Sequence, residues 1–178
     1  MSEKTFVDKK FCNWCGAKLK KINNIQLQCE ACSINEFHNP KPAVVCIITN
    51  ERGEVLVATR AHDPGKGKID SPGGFIDAYE TAEQAAVREL KEELGLDIDE
   101  QELELIFTQA NKYPYQGIVF SIVDIYFRVR VSSSVVIKPQ DDVATIHWQL
   151  PSKIDYKNFW SPQLAEGLNR YFKNQNML

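Results

Sequence analysis

The chain has 178 residues, a net charge of −3, 43% hydrophobic residues and 10% aromatic residues. This composition is sufficient for one medium-sized domain with a small appendage. The weakly acidic balance gives no support for a nucleic-acid partner, and no apolar run reaches the roughly 18 residues that a membrane span requires. Because the first residues are polar and carry no export signal, we expect a soluble, cytoplasmic protein without a membrane partner.

Four of the five cysteines form two Cys-x-x-Cys pairs near the start of the chain. Thirteen residues separate Cys12 and Cys15 from Cys29 and Cys32. Without an export signal, such paired motifs indicate metal ligation rather than disulfide bonds, and four thiolates suit a structural Zn²⁺ site. A thioredoxin-type redox pair is the alternative, although no βαβ pattern surrounds either motif. Residues 1–37 are too few to build a core unaided, so we predict a zinc-stapled module.

An α/β pattern follows a proline-rich connector at residues 38–42. Apolar runs predict strands at 43–49 and 55–60, joined by a turn, and Cys46 is expected in the core. A loop containing glycine and lysine spans residues 61–71.

Within the segment 74–96, residues 81–94 are predicted to form a helix with defined ends. Thr81 and Gln84 have the spacing of a capping box, an apolar stripe recurs at helical spacing, and Gly95 is suited to a left-handed cap. Residues 72–74 read Pro-Gly-Gly, a loop in which backbone groups can approach a ligand closely.

Three carboxylates share one face of this helix. Glu89, Glu92 and Glu93 stand at positions i, i+3 and i+4. Their mutual repulsion is relieved if divalent cations lie between them, and a partly open cluster of oxygen ligands suits Mg²⁺ or Mn²⁺. The alternative is a solvated acidic helix face, which does not explain the glycines around it.

Downstream, apolar runs predict strands at 103–109, 118–131 and 145–150. Ser132–Ser134 is expected at a hairpin tip. A final helix is predicted from Ser161-Pro162, with Leu164, Leu168 and Phe172 on one face.

The helical segment fits the pattern Gly-x5-Glu-x7-Arg-Glu-U-x-Glu-Glu-x-Gly-U, where U is aliphatic, and therefore resembles the Nudix hydrolases. A zinc ribbon ahead of it resembles the NADH pyrophosphatase and ADP-ribose pyrophosphatase group. The resemblance implies an α/β fold in which a mixed β-sheet lies between helices, with a zinc ribbon at 1–37 and a Nudix domain at 38–178.

The resemblance also implies roles for the fixed residues of this pattern, which we call the box. The glutamates at 89, 92 and 93 would coordinate Mg²⁺ or Mn²⁺ with the Gly73 carbonyl, and Arg88 would orient a glutamate. Asp142 is a candidate further ligand or general base, with an ordinary charged loop as the alternative. Gly74, Glu80 and Gly95 would be structural.

The implied reaction is hydrolysis of a diphosphate bond in a nucleoside diphosphate derivative such as NADH, ADP-ribose or FAD. The alternatives are a nucleotide sensor without turnover and an enzyme that removes RNA caps or NAD caps. A homodimer is expected. Candidate phosphate-binding side chains are Arg60, Lys66 and Lys68, and candidate base-binding rings are Phe75, Tyr113 and Tyr115; as alternatives, the charges are ordinary solvated groups and the rings pack on the surface.

Overall fold

The computed structural model describes residues 8–175 and 177. It contains nine strands and two α-helices in these residues, besides short 3₁₀ turns. The strands are β1 (Leu19–Asn23), β2 (Gln26–Cys29), β3 (Asn35–Phe37), β4 (Lys41–Thr49), β5 (Val55–Arg60), β6 (Ile69–Asp70), β7 (Glu104–Tyr115), β8 (Ile118–Arg130) and β9 (Val143–Gln149); the helices are α1 (Ala82–Leu94) and α2 (Pro162–Asn174).

The described residues fall into two compact units. The first comprises residues up to Lys41 together with Lys112–Ile122, and the second comprises Pro42–Asn111 with the described residues from Val123 onwards. The first unit therefore includes the ends of β7 and β8 that meet at their connecting turn.

The cysteine-bearing segment forms a three-stranded sheet in the order β1-β2-β3. All its pairings are antiparallel, and Leu27 and Cys29 on β2 are buried. The sequence predicts no strands here, because the runs are short and carry many lysines and amides.

A six-stranded sheet forms the centre of the second unit. Its strand order is β6-β5-β4-β8-β7, and β9 pairs with β5. Side chains alternate along β4, so that Val44 and Cys46 pack in the core cluster with α1, whereas Val45 and Ile47 pack in the cluster with α2. The sheet thus lies between two helices, which confirms the predicted fold class.

The second helix begins as expected from its sequence. Ser161 caps it through its side chain, Pro162 occupies the first turn, and the predicted face of Leu164, Leu168 and Phe172 is buried. None of the helices described is long and apolar enough to cross a membrane.

Three local predictions differ from the structure. β7 continues to Tyr115 instead of ending at 109, and β6 lies within the predicted loop at 61–71. Ser132–Ser134 is not a hairpin tip, since no strand follows it directly. Instead the chain returns along α1, where the N–H of Lys138 donates to the Leu94 carbonyl. A helix end leaves carbonyls without partners, and this segment supplies donors for them.

Candidate active site

Helix α1 is fixed at both ends and along one side. Thr81 and Gln84 make both bonds of the capping box, and Gly95 adopts the left-handed conformation at the C-terminal end. Leu90 and Leu94 are fully buried on the inner side. The predicted caps are confirmed, and they hold the glutamate-bearing face in a defined position.

Arg88 makes hydrogen bonds with three glutamates. Its Nε and Nη2 atoms bond the two carboxylate oxygens of Glu80 at 2.9 and 3.0 Å. Its Nη1 atom donates to Glu89 at 2.7 Å and to Glu92 at 3.1 Å, and Nη2 also reaches the Phe75 carbonyl at 3.0 Å. Hydrogen bonding from Arg88 is the main reason that the pKa of Glu80 lies below its usual value. The guanidinium therefore orders the helix face and offsets part of its charge.

Glu93 is the buried member of the acidic group, with 6% of its surface exposed. The Gly73 N–H donates to its Oε2 atom at 3.0 Å. Burial, assisted by the negative charges of Glu89, Asp70 and Asp142, raises the pKa of Glu93 to about 8, although the bond from Gly73 opposes this effect. A cation bound among these carboxylates would replace the proton, so this donor set fits a divalent metal ion.

The Pro-Gly-Gly loop is fastened to β4 on one side and approaches α1 on the other. The carbonyls of Pro72 and Gly74 accept bonds from β4 at 2.8 Å. Gly73 has φ +140°, and a β-carbon there would overlap the Val44 carbonyl; a β-carbon at Gly74 would overlap the Glu89 carboxylate. Gly73 is therefore required by the close approach of two backbone segments, whereas the close contact at Gly74 is with the end of a side chain.

A small cavity of about 40 Å³ adjoins Glu93. Arg60, Asp70, Gly73 and Asp142 are among the residues that line it. Sequence reasoning missed Asp70, which accepts a bond of 2.6 Å from Arg60 Nη1. Burial raises the pKa of Asp70 although Arg60 opposes this effect. Its position two residues before the Pro-Gly-Gly loop was the available signal, but a single carboxylate in a presumed loop carries little information.

Asp142 lies just before β9, in the segment that returns along α1. The N–H of Gln140 donates to the Glu93 carbonyl, and the Asp142 carbonyl accepts from the Ala61 N–H, both at 2.8 Å. The Asp142 side chain is exposed. Two long-range backbone bonds therefore bring this aspartate to the cavity beside Glu93.

The candidate phosphate-binding cations have different surroundings. Arg60 pairs with Asp70, and its guanidinium carbon lies 5.2 Å from the centre of the Trp160 ring. Lys68 donates to Asn158 Oδ1 at 2.9 Å, and Lys66 is exposed.

The candidate base-binding rings lie in different units. Phe75 is 42% exposed and follows the glycine loop in the second unit. Tyr113 and Tyr115 belong to the first unit, where their ring centres are 6.2 Å apart and nearly parallel. Their rings have the geometry of an offset stack.

The four N-terminal cysteines converge on one point. Their sulfur atoms all lie within 4.8 Å of one another, and three of the pairs measure 3.4, 3.6 and 3.9 Å. A tetrahedron of thiolates around Zn²⁺ has sulfur separations of about 3.8 Å, so the arrangement fits zinc.

Backbone donors support thiolate ligands at this site. The N–H of Trp14 points to Cys12 Sγ and that of Cys32 to Cys29 Sγ, each at 3.4 Å. The bond from Cys32 is the main cause that lowers the pKa of Cys29 to about 6. Within residues 8–175 and 177, these cysteines are the one group of at least three possible ligands that lie so close together.

A family model described as the NUDIX domain matches residues 39–170. A protein of Pseudomonas aeruginosa named NAD-capped RNA hydrolase NudC is 24% identical over 140 residues, which cover 78% of this chain and 47% of that protein. An ADP-ribose pyrophosphatase of Methanocaldococcus jannaschii is 39% identical over 87 residues, covering 49% of this chain and 50% of the other. The chain thus spans about half the length of these curated relatives.

A solved structure supports the same fold assignment. The crystal structure of a NUDIX hydrolase from Nitrosomonas europaea matches with a TM-score of 0.67 and 23% identity, over 94% of this chain and 93% of that one. The family model covers most of the chain, and Arg88 bonds to Glu80, Glu89 and Glu92 within the matched region. The chain therefore belongs to the NUDIX family.

Proposed function

We propose that this protein is a metal-dependent hydrolase of the diphosphate bond in a nucleoside diphosphate derivative of the NADH, ADP-ribose or FAD type. The products would be a mononucleotide and the phosphate of the remaining group. The observation that carries the proposal is the buried Glu93, held by the Gly73 N–H beside Glu89 and close to further negative charges. The names of the relatives, an ADP-ribose pyrophosphatase and an NAD-capped RNA hydrolase, support this substrate class.

Two metal sites belong to the proposal. Bound Mg²⁺ or Mn²⁺ would lower the pKa of a water molecule and offset negative charge on the phosphates. The residues that would hold these ions are Glu89, Glu92, Glu93, Asp142 and the Gly73 carbonyl. Cys12, Cys15, Cys29 and Cys32 would hold a structural Zn²⁺ ion.

The side chains of the site would position the reactants and accept a proton. Arg88 keeps the Glu89 carboxylate oriented through its bond of 2.7 Å. The water oxygen bonds to one phosphorus while the bond from that phosphorus to the bridging oxygen breaks. The bridging oxygen leaves with the other phosphate, and a carboxylate takes the proton of the water. The candidates for this base are Glu89, Glu93 and Asp142.

Substrate recognition is proposed for the cations and rings identified from the sequence. Arg60 would bind phosphate only by sharing its guanidinium with Asp70, whereas Lys66 is exposed on the neighbouring loop. Phe75, Tyr113 and Tyr115 offer aromatic faces on which a base can stack.

Removal of an NAD cap from RNA is the second candidate function. The names of several relatives favour it, and the bond to be cleaved is again a diphosphate. A sensor without turnover is the third possibility; the complete set of box carboxylates favours catalysis over it.

A substrate panel tests the proposal. NADH, NAD⁺, ADP-ribose, FAD, a nucleoside triphosphate and an NAD-capped RNA would be incubated with Mg²⁺ and with Mn²⁺. We expect release of a mononucleotide from one diphosphate compound, lost in Glu93→Gln and retained in Glu83→Gln. Glu83 is the matched control, because it lies in the first turn of the same helix at a position that the pattern leaves variable. If the wild type binds one compound without hydrolysing it, the proposed enzymatic activity is contradicted and the protein is a nucleotide sensor.

Three further points remain proposals. We propose a ribbon domain at 1–37 and a Nudix domain at 38–178, a homodimer, and a cytoplasmic location. Sedimentation velocity would test the dimer, and limited proteolysis would test the domain boundary.

A further inference from the structure

The zinc ribbon presents one open sheet face that carries aromatic, basic and amide side chains. We call it the open face. Its members are Phe11, Lys18, Lys20, Gln26, Gln28, Asn35 and Phe37.

The pairing register places these residues together. Lys20 on β1 is paired with Gln28 on β2, which is paired in turn with Asn35 on β3. Directly paired residues of an antiparallel sheet point to the same side, and side chains alternate along each strand. The same register directs Leu27 and Cys29 to the opposite, buried face.

Two aromatic rings stand at the two edges of the open face. Phe11 bridges to Lys18 beyond β1, and Phe37 pairs with Gln26 from β3. Three strand spacings separate the edges, about 14 Å. The rings are 60% and 54% exposed. Large apolar side chains that are exposed on a small module indicate a surface that binds something.

Amide groups lie between the two rings. Gln26 Nε2 donates to Asn35 Oδ1 at 3.2 Å, and Asn23 Nδ2 donates to Gln26 Oε1 at 3.4 Å. Amide side chains both donate and accept, so this row can also bond to the edges of nucleic-acid bases.

Charge is segregated between the ribbon segment and the remainder of the chain. Residues 1–41 contain seven lysines against three glutamates and one aspartate, so this segment carries +3 and the rest of the chain carries −6. The acidic balance of the whole chain conceals this difference, and it was this balance that gave no support for a nucleic-acid partner. A basic, aromatic and amide-bearing surface is complementary to a polyanion with exposed bases.

We propose that the open face binds single-stranded nucleic acid. Phe11 and Phe37 stack on bases, Lys18 and Lys20 contact phosphates, and the amides bond to base edges. A second copy of this chain is a poorer fit, since lysine is depleted at the centres of protein interfaces. RNA and DNA share the chemistry that this face reads, apart from the 2′-hydroxyl. The inference goes beyond the proposed hydrolysis and does not depend on it.

Fluorescence anisotropy tests the inference with the zinc-loaded full chain and labelled oligonucleotides of about 12 nucleotides. Single-stranded RNA, single-stranded DNA and duplex would be compared between about 50 and 200 mM salt. We expect single strands to bind, with an affinity that falls as salt rises. A higher affinity for one of the two single strands then shows whether the open face binds RNA or DNA. No binding by the wild-type protein at low salt overturns the proposal.

Matched variants locate the binding surface. Phe37→Ala and Phe11→Ala are each expected to weaken binding by about 5- to 100-fold, the usual effect of removing one stacking ring. Lys20→Ala should weaken binding several-fold and lower the salt slope by about 0.7. Lys21→Ala is the control, because Lys21 is the exposed neighbour that points to the other face. Val136→Ala controls for loss of an exposed apolar side chain outside the ribbon.

Two measurements keep this test independent of folding and of catalysis. Zinc content of each variant shows whether the ribbon is intact, and the oligonucleotides carry no diphosphate bond to hydrolyse. Equal losses in Lys20→Ala and Lys21→Ala overturn the assigned face. If the variants of the open face change self-association but bind the oligonucleotides as the wild type does, the proposal is overturned. The open face would then be a contact between two copies of this chain.

Discussion

Gly74 lies against Glu89 so closely that a β-carbon at this position would overlap the carboxylate. The atoms overlapped are the far end of a flexible side chain, which can move. We therefore expect Gly74→Ala to displace Glu89 while the fold is retained. Activity should fall by about 10- to 100-fold, as is usual when groups that orient metal ligands are disturbed. Steady-state kinetics and circular dichroism would show this, and wild-type activity in a folded variant would contradict it.

Gly73→Ala should reduce the stability of the fold more than Gly74→Ala does. A β-carbon there would overlap the backbone carbonyl of Val44, and φ +140° is unfavourable for alanine. Val44 is on β4, which has a neighbouring strand on each side, so the overlap can be relieved only by a shift of the backbone. We expect the unfolding temperature to drop by roughly 5–10 °C. Thermal unfolding of the two glycine variants side by side makes the comparison, and a smaller loss for Gly73→Ala than for Gly74→Ala would contradict it.

Arg88→Lys should weaken metal binding although the charge is kept. Lysine has no planar fork with which to hold both oxygens of Glu80 and also reach Glu89. We expect affinity for Mn²⁺ to fall by about 10- to 100-fold in titration calorimetry. Lys91→Ala is the control on the same helix, where the exposed pair with Asp97 should contribute little. Equal affinities of Arg88→Lys and wild type would show that the guanidinium does not order the glutamates.

The raised pKa of Glu93 predicts how stability changes with pH in the absence of added divalent ions. Burial raises this pKa from 4.5 to about 8, so between these values the folded protein binds a proton that the unfolded chain has released. This contribution to the free energy of unfolding is fully present below pH 4.5 and is lost as pH rises through about 8. It is of the order of a few kcal/mol.

Urea unfolding at about pH 6 and about pH 9 checks this prediction. The wild type should be less stable at the higher pH, and Glu93→Gln should show a clearly smaller difference because glutamine does not titrate. Addition of Mn²⁺ should restore stability at the higher pH, since the cation replaces the proton. An identical pH dependence in wild type and variant would refute the assignment to Glu93.

Zinc should be required for the N-terminal sheet. Cys29→Ser removes a ligand whose sulfur lies 3.4 Å from that of Cys15. We expect zinc content to fall from about one ion per chain, because one hydroxyl cannot replace a thiolate in this shell. Proteases should then cleave within the ribbon. Cys46→Ala is the control, since that buried cysteine lies in the core cluster packed against α1 and should leave zinc content unchanged. Full zinc content in Cys29→Ser would exclude the four-cysteine site.

The sequence by itself determined the parts of this protein that depend on nearby residues. The caps of α1, the shared face of its three glutamates and the alternation of β4 follow from helical and strand periodicity within a few residues. The two Cys-x-x-Cys pairs likewise set the ligand type at the N-terminal site. Local periodicity predicted individual helices and strands, whereas the layered fold class came from the resemblance to the Nudix hydrolases; the structure shows that the apolar faces of α1, α2 and the sheet are buried against one another.

Only the tertiary structure decided which distant groups meet. Asp70 and Asp142 reach the cavity beside Glu93 because β5 pairs with both β6 and β9, which long-range backbone bonds determine. The same holds for the segment after Ser134, which returns along α1 because its N–H groups satisfy carbonyls at the helix end. The raised pKa of Glu93 likewise arises from burial and from charges that the fold brings together, and neither is visible in the spacing of residues along the chain.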